Sequence, residues 1–407
     1  MITQMKKEER MTKTQMQKND QDMQSKQGLS GEKPQGLLVD GHGRIIDYLR
    51  ISLTDRCNLR CKYCMPPEGV PAFAHEDILT LEETCRIASI LVKMGIRKIR
   101  LTGGEPLIRK NMISLVQRLS DLAEKPELAL TTNGVLLEEY LDELKAARLS
   151  HLNISLDTRN REVFKNLTGS DAYESVERSI RRAVDMGMKV RINSVLIRGI
   201  NDGEAADLAM MARELPVDLR FIELMPIGCG AAYRGVSRDE ILSRLQNVFD
   251  EAASCNCEDG ESSTNTESDE RAEGIGRGTE AGKDSGSMHA ESGNADAKST
   301  YSDSHGPAEY VTFPGFAGRI GFISPLSHAF CERCNRIRLT TDGKLKLCLF
   351  YPDEISLLPM MRQGCSDEEI RDAVFAAIQT KPLKHGFGKT QAPVRAEEKR
   401  NMVQIGG

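Results

Sequence analysis

From residue 48 to about 224 the chain alternates short apolar-rich runs with longer amphipathic ones. The short runs, 48–53, 98–102, 128–132, 152–156, 189–195 and 219–224, read as strands. Between them lie 81–94, 113–123, 136–147, 175–186 and 205–215. Their apolar residues recur every three or four positions, as in Leu81, Cys85, Ala88 and Leu91, which predicts helices. Six strands separated by helices predict a parallel βα array with right-handed crossovers. Periodicity alone leaves a partial barrel and an open sheet equally open. Strand-like runs return at 319–324 and 344–349, the second preceded by the hairpin-type turn Asp342-Gly343.

Two stretches break the pattern. Residues 1–40 are polar and Gln/Lys-rich, and read as a disordered N-terminal tail. Residues 251–308 are mostly Ser, Gly, Glu, Asp and Asn, and read as a disordered acidic insertion. The expected organisation is therefore a tail (1–40), an α/β array (41–250), the insertion (251–308) and a C-terminal region (309–407).

Charge changes the picture once it is divided this way. The chain of 407 residues carries a net −5, but 251–308 alone carries −9, so the remainder carries +4. That excess is too small for a nucleic-acid surface and suits a pocket for a small polyanion. No run of 18 apolar residues exists, so no membrane partner is expected. The N-terminus has no apolar signal region. Eleven cysteines without an export signal point to thiols kept reduced for metal binding, in a cytoplasmic, oxygen-sensitive protein. Cys255 and Cys257, at the start of the insertion, read as incidental thiols.

Six other cysteines carry chemistry. Cys57, Cys61 and Cys64 are spaced C-x3-C-x2-C directly after the first strand. Three thiolates can hold three irons of a four-iron cube and leave the fourth open, whereas structural zinc wants four ligands. Cys331, Cys334 and Cys348 form a second set, spaced C-x2-C-x13-C. Alone, this set fits zinc and an open cluster equally; beside the first, a second cluster is the better reading. Gly103-Gly104-Glu105-Pro106 ends the second strand, where glycines let backbone groups approach a ligand closely. Arg50, Arg100, Arg191 and Arg220 fall inside strands that a buried parallel sheet would make apolar. Four such residues on different strands suggest a shared interior that binds phosphate, and Arg336 and Arg338, two apart, would share one face.

The first triad, with Tyr63 before its last cysteine, and the Gly-Gly-Glu-Pro run resemble the radical S-adenosylmethionine superfamily. The second triad, the run Cys334-Asn335-Arg336-Ile337-Arg338 and the terminal Gly406-Gly407 resemble its members that cyclise GTP in the first step of molybdenum cofactor biosynthesis. This likeness covers 48–249 and 315–407. It implies a partial (β/α)6 TIM-like barrel with a C-terminal extension that carries a second Fe–S cluster. It also implies two [4Fe–4S] clusters, held by Cys57, Cys61 and Cys64 and by Cys331, Cys334 and Cys348. By the same resemblance Tyr63, Gly104, Ser155 and Met225 line the S-adenosyl-L-methionine site. Arg50, Arg100, Thr131, Arg191, Arg336 and Arg338 contact GTP, with Lys98 and Arg220 as phosphate neighbours. Gly406 and Gly407 end a tail that reaches the active site. Arg191 stands where the family often has Lys, and a guanidinium fork is not a point charge.

The reaction implied is hydrogen abstraction from C3′ of GTP, attack on C8 and reduction to (8S)-3′,8-cyclo-7,8-dihydro-GTP. The partners implied are an electron donor of flavodoxin or ferredoxin type and cyclic pyranopterin monophosphate synthase, which acts on the product; a homodimer is compatible. Two other readings stay open: a peptide-modifying radical enzyme with an auxiliary cluster, and a zinc-containing nucleic-acid-binding module.

Overall fold

In the computed structural model, which describes residues 37–255, 301–302, 306–387 and 398–406, the strand runs pair into one sheet. β1 (Tyr48–Ser52), β2 (Lys98–Thr102), β3 (Glu127–Thr132), β4 (His151–Ser155), β5 (Val190–Ser194) and β6 (Asp218–Ile222) are parallel neighbours in chain order. Within the expected insertion, β7 (Tyr301–Ser302) forms a short strand, and the C-terminal region adds β8 (Glu309–Val311), β9 (Arg319–Ile323), β10 (Arg336–Leu339), β11 (Lys344–Lys346) and β12 (Glu354–Ser356). β9 pairs parallel to β6, and β10 pairs parallel to β1. The six-stranded array is thus widened to eight parallel strands, one added at each side. Antiparallel β8 and β7 continue beyond β9, and antiparallel β11 and β12 beyond β10.

Helices α1 (Leu81–Lys93), α2 (Met112–Ser120), α3 (Leu137–Ala146), α4 (Arg161–Thr168), α5 (Tyr173–Asp185), α6 (Ala205–Glu214), α7 (Arg238–Cys255), α8 (Leu358–Arg362) and α9 (Asp367–Gln379) complete the architecture. α1 starts where Thr80 and Glu83 cap each other. Glu83 N donates to Thr80 Oγ1 at 3.1 Å, and Thr80 N donates to Glu83 Oε2 at 2.8 Å. Ser366 and Glu369 do the same for α9. No helix among the described residues is long and apolar enough to cross a membrane.

Strand alternation decides where core and cavity lie. Leu49 and Ile51, Ile99 and Leu101, Leu128 and Leu130, and Leu152 and Ile154 are buried in the main apolar core. Ile192, Leu219, Phe221, Ile320, Phe322, Ile337 and Leu339 extend that layer across the other strands. The alternate positions are polar: Tyr48, Arg50, Lys98, Arg100, Glu127, Thr131, His151, Ser155, Arg191, Arg220 and Arg338 line a cavity instead. A closed barrel of this kind normally fills its interior with branched apolar side chains. Here period-two alternation persists in parallel strands because the interior holds polar side chains around open space.

Residues 1–36 of the expected tail lie outside the described residues, as do 256–300 and 303–305 of the expected insertion. Cys257 and Gly407 lie outside them too.

Candidate functional site

The cavity measures about 910 Å³, toward the upper end for a small-molecule site. Its two ends follow from strand direction. The loop of Cys57, Cys61 and Cys64 follows β1, at the C-terminal ends of the parallel strands. Cys331 and Cys334 precede β10, which runs parallel to β1, so they lie at the opposite ends. Cys348 follows β11, which runs antiparallel to β10, and returns to the same end. All six line the cavity, with the arginine layer between the two triads.

The first loop is held on two sides. Arg60 N donates to Thr168 O at 2.7 Å and Lys62 N to Leu167 O at 3.0 Å, which ties the loop to the end of α4. On the other side Gly104 N donates to Thr54 O at 2.6 Å and Glu105 N to Arg56 O at 2.8 Å. A Cβ on Gly104 would lie 2.1 Å from the Arg56 carbonyl oxygen. The glycine is therefore required by the cysteine loop itself, a nearer reason than the approach of a ligand. Glu105, fully buried, accepts from Leu107 N, Thr132 Oγ1 and Asn133 N and fastens this turn to the end of β3. Burial nevertheless raises its carboxyl to about 7.

The donor set fits an iron–sulfur cluster. Leu59 N donates to Cys57 Sγ at 3.4 Å and Asn133 Nδ2 at 3.7 Å, contacts that stabilise a thiolate. Burial raises the Cys57 and Cys61 thiols and pushes Cys64 up to about 12; Cys64, Asp157 and Cys57 add to it at Cys61, and Cys57, Cys229 and Asp157 at Cys64. Three half-buried thiols in that state give up their protons to a positively charged centre and otherwise keep them. Among the described residues no three His, Cys, Asp or Glu side chains gather closely enough to hold one metal ion.

The second triad is held from the N-terminal side. Arg44, fixed by Asp40 at 2.6 Å, donates from Nη1 to Cys331 O at 2.7 Å and from Nη2 to Pro382 O at 2.9 Å. Lys381, itself buried, donates to Arg336 O at 2.8 Å and also to Leu347 O. Burial would raise the Cys334 thiol, but Lys381 and Arg336 outweigh it and hold the thiol below its ordinary value.

Positive charge dominates the wall between. Burial and neighbouring guanidiniums bring Arg100 and Arg338 down to about 10 and push Arg50 well below its ordinary value. Arg100 and Arg336 lie 5.6 and 5.7 Å from the Tyr48 ring centroid, and Arg336 is also 4.9 Å from Phe330. Burial would raise the Tyr48 phenol, yet Arg100, Arg50, Arg336 and Lys98 bring it below its usual value. Arg100 Nε, Arg336 Nε and Thr131 Oγ1 are buried without a hydrogen-bond partner among the described residues. Each such group costs about 1–3 kcal/mol until an acceptor arrives, so the wall fits a polyanion. Arg191 sits 3.6 Å from Asp218, and Arg220 donates to Tyr310 Oη at 2.6 Å.

The residues expected at the S-adenosylmethionine end, Tyr63, Gly104, Ser155 and Met225, also line the cavity. Tyr63 Oη donates to Asp157 Oδ2 at 2.8 Å; burial raises the Asp157 carboxyl to about 6. The C-terminal tail meets the first triad and the arginine layer. The Val403 amide donates to Cys64, and Arg338 Nη1 donates to Gly406 O at 2.8 Å. Gly406 has φ +73°, and a Cβ there would lie 3.2 Å from Ser52 Cβ and from Thr102 Oγ1. The tail starts at a buried charge cluster. Lys346, with no exposed side-chain surface, pairs with Glu398, while Arg400 reaches Glu398 at 2.9 Å and Glu354 at 2.6 Å.

Residues 51–212 match the Radical SAM superfamily, and 283–387 match Molybdenum Cofactor Synthesis C. A GTP 3′,8-cyclase of Peptoclostridium acidaminophilum is 41% identical over 91% of this chain and 98% of its own. A GTP 3′,8-cyclase of Clostridium perfringens (strain 13 / Type A) is 39% identical over 91% of this chain and all of its own. The chain belongs to the GTP 3′,8-cyclase family.

Among solved structures, Streptococcus suis SuiB bound to precursor peptide SuiA superposes with a TM-score of 0.52 at 13% identity. The match spans 89% of this chain and 77% of that one. At that identity the likeness is one of fold, a radical SAM α/β architecture. Membership of the GTP 3′,8-cyclase family gives the chain iron–sulfur clusters and S-adenosylmethionine as cofactors. Tyr48, Glu127, His151, Asp157 and Phe330 line the same cavity without having been singled out from sequence. Counting back in twos from Ser155, through Asn153, reaches His151, so the period-two pattern held that signal.

Proposed function

We propose that this chain converts GTP to (8S)-3′,8-cyclo-7,8-dihydro-GTP, the first step of molybdenum cofactor biosynthesis. The observation that carries this reading is that two three-cysteine sets and a layer of buried arginines line one cavity. When bound, the first cluster and S-adenosylmethionine supply a carbon-centred radical for hydrogen abstraction at C3′, and the second cluster supplies an open iron for the base.

The chain's own residues do the rest. Tyr63, Gly104, Ser155 and Met225 hold S-adenosylmethionine at the first triad's end, with Tyr63 fixed by Asp157. Arg50, Arg100, Thr131, Arg191, Arg336 and Arg338 neutralise and orient the nucleotide, and Arg100 Nε, Arg336 Nε and Thr131 Oγ1 donate to its phosphate or base oxygens. The Gly406 carbonyl steadies Arg338 from the tail, and the terminal Gly406-Gly407 pair is the catalytic element that the family resemblance implies. Enclosure by the barrel keeps both reactants in one near-attack arrangement, the main contribution a protein makes to such a step. The protein works in the cytoplasm with an electron donor of flavodoxin or ferredoxin type, and cyclic pyranopterin monophosphate synthase takes its product. The catalytic body is 41–250 with 309–407.

Anaerobically purified protein should carry about eight iron and eight sulfide per chain, as two four-iron clusters require. With S-adenosylmethionine and reductant it should turn over GTP. Zinc in place of iron, or full iron loading without GTP turnover, would sink the reading.

A further inference from the structure

The cavity floor holds a histidine that the reaction as described does not use. His151 opens β4 and lines the cavity, with its side chain 13% exposed. Its Nε2 lies 3.0 Å from Glu127 Oε1, and Lys98 Nζ lies 2.5 Å from the same oxygen. Contact with a carboxylate puts a proton on Nε2. The other ring nitrogen, Nδ1, is buried and has no hydrogen-bond partner among the described residues. In the neutral ring, Nδ1 is then a lone pair left unsatisfied.

Position decides which ligand atom meets it. The strand order β10-β1-β2-β3-β4 puts four strand spacings between His151 and the second triad. With its base against that triad, as the functional reading has it, a nucleotide would run its phosphates along the floor past Lys98 toward β4, with Arg191 on β5 just beyond. The charged groups facing His151 are Glu127 on β3, Lys98 on β2 and Arg191 on β5. Burial, with Arg191 and Lys98, holds the imidazole below its ordinary value against the pull of Glu127. Glu127, held near 2 chiefly by His151 and Lys98, stays ionised throughout. The ring is therefore neutral near pH 7 while the site is empty. A phosphate oxygen brought against the Nδ1 lone pair would be repelled; a proton placed between them makes a charge-assisted hydrogen bond.

We infer that His151 is a phosphate-binding residue that takes up one proton from solvent when the polyphosphate of the nucleotide binds, its ring oriented by Glu127. The inference rests on the functional reading above and adds to it a pH dependence of substrate affinity. A group protonated only in the complex strengthens binding at low pH and weakens it as pH rises, so the GTP dissociation constant should climb above neutrality.

Isothermal titration of GTP into the cluster-loaded chain, anaerobically and in buffers of different ionisation enthalpy, reads the proton directly. Wild type should take up close to one more proton per GTP than His151→Asn or His151→Gln at about pH 7.5, the full change of one imidazole. Protonation of the nucleotide's own phosphate is common to all three proteins and cancels. The wild-type dissociation constant should rise by about tenfold or more between about pH 7 and 8.5, where both variants stay nearly flat. Guanosine, without phosphates, should show no difference. Equal proton uptake in wild type and both variants would overturn the inference while leaving the functional reading intact. Failure of the loaded wild-type chain to bind GTP at all would overturn that reading and this inference with it.

Discussion

Glu398→Gln tests whether the buried charge cluster is what docks the tail. The substitution keeps the side chain's shape and removes one negative charge from a pair whose side chains are 0% and 4% exposed. Lys346 would keep Tyr351 O at 2.8 Å, Glu354 at 3.9 Å and, at position 398, no more than a neutral amide oxygen. Removing one partner of a buried pair costs about 3–5 kcal/mol, and the remaining Glu354 places this case near 3. If the tail is a local unit, that loss appears as undocking of 398–406, with the barrel unmoved. At about 1.4 kcal/mol per decade, amides such as Ile405 should exchange roughly 100-fold faster. Cyclisation kcat should fall with little change in KM, because the proposed GTP contacts lie on the barrel wall. The Glu398 carboxyl is held near 2: burial raises it, but Arg400 and Lys346 outweigh burial. With the folded value depressed, the pair's contribution is complete above about pH 4.5 and is lost as pH falls toward 2. Neutral-pH exchange therefore reports the intact pair. Hydrogen exchange on the loaded enzyme is the assay. Unchanged tail exchange beside a lowered unfolding temperature would show that the pair braces β11 and β12 and does nothing for the tail.

Gly104→Ala should drive its Cβ into the Arg56 carbonyl and displace the first cysteine loop, leaving roughly half the iron, with the second cluster intact. An alanine variant with full iron content would refute the close-approach argument. The two triads should also fail differently. Cys57→Ser should abolish formation of 5′-deoxyadenosine, whereas Cys348→Ser should keep some uncoupled cleavage and lose cyclisation. A Cys348→Ser protein that cyclised GTP normally would show that this cysteine holds no cluster.

The six-stranded array was legible because each strand and helix carries its own period, and the inward arginines stood out as polar residues in apolar runs. The flanking strands were harder. The residues of β9 and β10 read as strand-like, but nothing local says that 336–339 pairs with 48–51, since parallel pairing across so many residues leaves no short-range mark. The tail cluster was hidden for a related reason. Lys346 and Glu398 are 52 positions apart, and each looks like an ordinary solvated charge until the fold buries both. α4 was missed because its eight residues are short for a periodicity argument, although Asn160 caps it and Gly169 ends it at φ +70°. Gly104 was noticed for its place at a strand end, yet its reason lay in the backbone of Arg56, which no spacing reveals.

The placement of β9 and β10 sets a timetable for making the protein. β6 gains its outer neighbour only when residue 323 has been synthesised, and β1 only at residue 339. Until then the nascent chain carries two open sheet edges, the feature by which β-proteins most readily associate wrongly. At about 5–20 residues per second, the interval between completing β6 and completing β10 is roughly 6–25 s. Throughout that interval the first cysteine loop already exists on a half-walled sheet open to incoming iron and sulfide, while the second triad does not yet exist. Residues 251–308 fall inside this window, so the length of that segment adds directly to the time the edges stay bare.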